Sequence, residues 1–105
     1  MEFEVWHAKS DKIKFGMGPR PDWPADYDRV AVVYCDSIEE AFRDTNHIDH
    51  SWQNNPSVDW HRSNRERSTS VDDVIIVHPP GVAYRCEMVG WEELGSVNEE
   101  DLKKA

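Results

Sequence analysis

The sequence predicts an α+β domain: a small, largely antiparallel four-stranded sheet carrying one helix, in the chain order ββαββ, with long irregular loops. Three observations predict it. Residues 2–8 alternate Glu2 and Glu4 with Phe3 and Val5, the two-residue period of a strand with one wet face. Residues 29–35 are apolar on both parities after Arg29 and run into Ser37, with Glu40 three positions on, so a strand covered on two faces leads into a capped helix. Val74-Ile75-Ile76-Val77 and a second run holding Tyr84, Cys86 and Met88 flank Pro79-Pro80-Gly81, the layout of a hairpin.

Between the first two strands, residues 9–28 carry Gly16, Gly18, Pro19, Pro21 and Pro24, too many breakers for a helix or an inner strand. This stretch reads as an ordered loop pinned by Phe15, Trp23 and Tyr27. The helix is expected over 38–46, with Ile38, Ala41 and Phe42 on one face and Glu39 and Glu40 at the positive end of its dipole. From His47 to Ser70 no period persists, and a connection of that length is either functional or hides an element. Ser70-Val71-Asp72-Asp73 reads as a tight turn or a single helical turn feeding the third strand. In the fourth strand Tyr84, Cys86 and Met88 face one way and Arg85 and Glu87 the other, the alternation of a half-buried strand, until Gly90 breaks the parity. Residues 1–95 are read as a single domain and 96–105 as a polar tail.

A chain of 105 residues, 38% of them hydrophobic and five of them Trp, has the size and aromatic area for one core without disulfide or metal staples. Its formal charge of -9, from 21 acidic against 12 basic residues, repels nucleic-acid phosphates and anionic membranes. Such a charge serves either as a solubility surface or as an acidic face toward a basic partner. Cys35 and Cys86 fall in strands rather than in a paired motif, as small buried hydrophobes do in a reducing compartment. No stretch has the length to span a bilayer, and the N-terminus lacks a basic-then-apolar leader; a cytoplasmic protein is expected.

The densest polar cluster is Asn46-His47-Ile48-Asp49-His50, with Trp52, Asp59 and His61 beyond it. If the helix continues, His47 and His50 share a face and can ligate one metal ion with Asp49, Asp59 or His61; the same pair also suits a helix C-terminus. No serine or cysteine lies in a nucleophile turn, so no catalytic residue, metal or cofactor is assigned. Arg62, Arg65 and Arg67 against Glu66 form a basic island, which with Ser68, Thr69 and Ser70 matches phosphate oxygens or else pairs with nearby carboxylates. Trp52 and Trp60 beside it suit nucleotide bases or protein hot spots. The candidate binding set is therefore Asn46, His47, Asp49, His50, Trp52, Trp60, Arg62, Arg65 and Arg67.

Residues 67–91 carry Arg67-Ser68-Thr69-Ser70-Val71-Asp72-Asp73-Val74-Ile75, then Gly81, Ala83-Tyr84-Arg85-Cys86 and Val89-Gly90-Trp91. This resembles the signature of YodL-type and related small domains of phage, plasmid and other mobile-element proteins, and the stretch from Phe42 to Trp52 is similar to companion sequence in phage and actinobacterial proteins. The resemblance implies a mobile-element context and assigns no active residue. With the acidic charge, it leads us to expect a non-enzymatic accessory protein that binds a host protein or complex, a defence system among them. Two alternatives stay open: a nucleotide or nucleic-acid binding module on Arg62, Arg65, Arg67, Trp52 and Trp60, and a small metal-dependent enzyme centred on His47 and His50.

Overall fold

A computed structural model describes residues 1–46 and 51–97, and these form six strands rather than four. The strands are β1 (Glu2–Ala8), β2 (Tyr27–Tyr34), β3 (Val58–His61), β4 (Val74–His78), β5 (Val82–Cys86) and β6 (Trp91–Ser96); one helix, α1 (Ile38–Asp44), and a 3-10 turn over Trp52–Asn54 lie between β2 and β3. They make one antiparallel sheet in the order β3-β2-β1-β4-β5-β6. The expected ββαββ arrangement is thus corrected to a mostly-β fold: two three-stranded meanders joined along β1 and β4, with one short helix.

The two strands that sequence reading lacks are both bulged, so their side-chain facing departs from a two-residue period, and β3 is only four residues long. In β3 the register shifts so that Val58 pairs Val33 while Trp60 pairs Val32. Val58 and Trp60 therefore face opposite sides although they are two apart. In β6, Glu93 pairs Tyr84 and Gly95 pairs Ala83, leaving Leu94 as the extra residue beside Gly95 at φ +104°.

The sheet is covered on both faces. Phe3 and Val5 of β1, Ala31 and Val33 of β2 and Ile75 of β4 bury against Ala41 of α1 and Trp52. The opposite parity, Trp6 and Ala8 with Val74, Ile76, Ala83 and Tyr27, packs under the 9–26 loop through Ile13 and Trp23. Trp23 meets Trp6 and Tyr27 edge-on, at 5.4 and 5.2 Å, so it pins the loop as its sequence suggests. Phe15 is half exposed, with the Arg67 guanidinium over its ring at 5.9 Å. The helix starts on Ser37, whose Oγ accepts the Glu40 amide at 3.2 Å, while the Glu40 carboxylate turns back to the Asp36 amide. It stops at Asp44 with Thr45 as its C-cap, before His47.

Arg85 also departs from expectation. It is buried, because its guanidinium reaches the Pro21 carbonyl and Glu92 at 2.8 Å each and the Tyr27 hydroxyl at 3.3 Å. Met88, expected on the same face as Cys86, lies beyond the end of β5 and is exposed.

Candidate binding surface

Two neighbouring surfaces hang from one dipeptide, Asp72-Asp73. The turn that delivers it closes on itself: the Asp73 amide donates to the Ser70 carbonyl at 3.1 Å and the Ser70 amide to Asp73 Oδ2 at 2.8 Å. This drives the Asp73 carboxylate into the interior, where a charge must be paired and hydrogen-bonded to persist. Arg67 supplies a two-pronged fork, Nη1 and Nη2 at 2.6 and 2.7 Å, and the Ala8 amide adds a bond at 2.9 Å. Arg67 Nη2 donates also to the Ala8 carbonyl at 3.1 Å, so the cluster clamps the end of β1 to the start of β4.

Asp72 is buried and sits at φ +83°, in the left-handed region that Asp tolerates better than most residues. Its amide donates to the Cys86 carbonyl at 2.9 Å and its carbonyl accepts the Tyr27 hydroxyl. Its Oδ2 accepts the Lys14 and Gly16 amides at 3.2 and 3.0 Å. The 14–17 loop is thereby held against the β5–β6 hairpin. Gly16 has φ +82°, and a Cβ there would lie 3.0 Å from Val71 Cγ1 and 3.2 Å from Met88 Cγ, so glycine is what permits the contact.

The hairpin tip is closed by the Glu87 amide donating to the Gly90 carbonyl at 3.0 Å, which puts Met88 and Val89 at its apex. They are 71% and 93% exposed, and Phe15 and Met17 on the adjoining loop are 51% and 84% exposed. Arg20 pairs with Glu87 and ties the two segments together. A shallow groove of about 330 Å³ continues the patch past Val71, Phe42 and Trp91, with Glu39 and Glu87 on its rim.

The second surface is a cleft of about 460 Å³ between the end of β1 and the 62–67 loop. Three bonds hold this loop from below: Trp52 Nε1 to the Arg67 carbonyl at 2.9 Å, Gln53 Nε2 to the Glu66 carbonyl at 3.2 Å, and the Arg62 amide to the Val30 carbonyl at 2.9 Å. Arg62 grips Glu66 through Nε and Nη2, both at 2.8 Å, and lies 3.4 Å from Asp28. His7 lines the cleft. It is buried, with Nε2 on Thr69 Oγ1 at 2.9 Å and Nδ1 without a partner among the described residues. Burial lowers the His7 pKa to about 4, against the opposing pull of Asp73 and with help from Arg67 and Arg62, so the ring is neutral near pH 7. Burial pushes the Cys86 thiol up to about 11, with Asp73 adding to it, and raises Cys35 as well; thiols so placed make poor nucleophiles.

The structure brings Arg62, Arg65 and Arg67 of the expected binding set together at the cleft. Asn46 reaches the same neighbourhood through its side-chain bond to the Thr69 carbonyl. Trp52 is buried and braces the loop from within. Trp60 lies apart on β3, where Arg29 stacks over its ring at 4.8 Å. His47, Asp49 and His50 lie outside the described residues. Among the described residues, Glu2, Glu4 and His78 place metal-type donor atoms within 4.8 Å of one another, but His78 and Arg29 already pair with Glu4. Sequence reading missed His7, Lys9 and Ser10 of the cleft, and Phe15, Met17, Met88 and Val89 of the patch. Only the last pair left a local signal, two apolar residues directly before Gly90.

No protein-family model, curated protein or solved structure matches the chain. No helix among the described residues is long and apolar enough to cross a membrane.

Proposed function

We propose that the chain is a non-enzymatic binding protein that docks on a partner protein through the Phe15–Met17 and Met88–Val89 patch. The observation that carries this is the hairpin tip itself. Turn apices ordinarily hold small polar residues, yet this one presents a methionine and a valine at 71% and 93% exposure. Leaving four large apolar side chains in water on two touching loops is the usual mark of an interaction site, and methionine adapts its shape to a partner. Glu39 in the groove lining, within a chain of net charge -9, favours a partner with an apolar anchor set in a basic surface. The resemblance to mobile-element domains supports a host protein or complex as that partner.

The test is affinity capture from host lysate with the wild-type chain beside a Met88→Asp/Val89→Asp double variant. The wild type should retain a specific partner that salt releases and the double variant should not. Retention of the same proteins by both would refute the reading.

A further inference from the structure

We propose that the cleft between the end of β1 and the 62–67 loop is a binding site for a small phosphorylated molecule, with Arg65, Lys9 and Ser10 as its direct contacts. This goes beyond the docking patch and rests on different residues. The charges of the cleft are unevenly matched. Its two acidic residues, Glu66 and Asp28, are both engaged by Arg62, and Arg67 is engaged by buried Asp73. The four cations Lys9, Arg62, Arg65 and Arg67 thus exceed the three carboxylates Asp28, Glu66 and Asp73 by one, and two of the cations have no carboxylate of their own. Among the described residues the exposed Arg65 guanidinium has no partner, and the Lys9 ammonium reaches only the Ala25 carbonyl, at 3.3 Å. They come from the two separate walls of the cleft, with Ser10 among the lining residues.

An excess of cation over carboxylate at one concavity, in a chain that is otherwise strongly acidic, gives a local positive potential. The walls are already fixed by the Arg67–Asp73 fork and by Trp52 and Gln53, so ordering them costs little on binding. A carboxylate is satisfied by one arginine fork. A guanidinium, an ammonium and a hydroxyl from different segments better match the several oxygens of a phosphate. The volume, about 460 Å³, falls in the range of small-ligand sites. A nucleic-acid strand is disfavoured, because Trp52 is buried below the loop, Trp60 stacks with Arg29 elsewhere, and the net charge opposes a polyanion.

The experiment is a ¹H–¹⁵N NMR titration of the full chain with pyrophosphate, with sodium chloride at matched ionic strength and a short single-stranded oligonucleotide as separate arms. Saturable shifts of the Ala8–Ser10 and Arg65–Arg67 amides are expected with pyrophosphate, at least about tenfold weaker in a Lys9→Ala/Arg65→Ala variant that keeps a dispersed spectrum. Arg65→Gln alone, at an exposed position, should weaken binding in the same direction. The proposal is overturned by absence of saturation, by equal shifts with chloride, or by unchanged affinity in the variants. Tighter binding of the oligonucleotide than of pyrophosphate would overturn it in favour of a strand-binding groove.

Discussion

Replacing Arg67 by alanine removes both prongs of the fork on Asp73, leaving a fully buried carboxylate with the Ala8 and Ser70 amides and, at 3.5 Å, the Ser70 hydroxyl as donors among the described residues. Breaking a buried ion pair from one side costs about 3–5 kcal/mol, because the remaining charge stays desolvated. The Arg67 side chain is itself 30% exposed, so truncation admits water toward Asp73 and the lower end applies, about 3 kcal/mol. For a domain of this size each kcal/mol moves the melting temperature by about 4 °C, giving a fall of about 12 °C. Urea unfolding followed by tryptophan fluorescence, with thermal melts by circular dichroism, measures both. Arg65→Ala on the same loop serves as the control and should stay within about 0.5 kcal/mol of wild type. A loss below about 1 kcal/mol for Arg67→Ala would refute the reasoning, since the Ala8 and Ser70 donors would then suffice for Asp73 and the clamp would not be what fixes β1 against β4.

Three further outcomes are expected. His7 titrates near 6.5 when unfolded and at about 4 when folded, so the unfolded chain binds more protons between these values; stability should fall on acidification through that window, by about 2 kcal/mol at pH 5, and His7→Gln should remove this component of the urea-midpoint pH profile. Ser37→Ala deletes the Oγ acceptor for the Glu40 amide and should cost about 1 kcal/mol in urea unfolding. Gly16→Ala forces a side chain at φ +82° against Val71 and Met88 and should destabilise by about 1–2 kcal/mol while shifting the Met88 methyl resonance.

The features legible in the sequence are those encoded locally. The alternation in β1, the two-sided run of β2, the Ser37 cap and the apolar β4 all declare themselves within a few residues, and the β4–β5 hairpin pairs as its layout suggests. β3 and β6 do not, because each carries an extra residue that flips the facing of its later positions. Arg85 misleads for another reason: the carbonyl and hydroxyl that let it lie buried belong to Pro21 and Tyr27, far back in the chain. Likewise the arginine island was visible as composition, but which of its charges are cancelled depends on Asp28 and Asp73, which only the folded chain brings beside it.

The bonds of Asp72 to Lys14 and Gly16 span 58 and 56 residues, and that of Asp73 to Ala8 spans 65. During synthesis, then, the residues before Asp72 emerge with the 14–17 loop and the end of β1 still without these bonds. Only when this dipeptide leaves the ribosome can the apolar apex find its neighbour loop and the cationic walls draw together. Any product ending upstream of Asp72, whether by truncation or proteolysis, would keep most of the arginines yet present neither recognition surface.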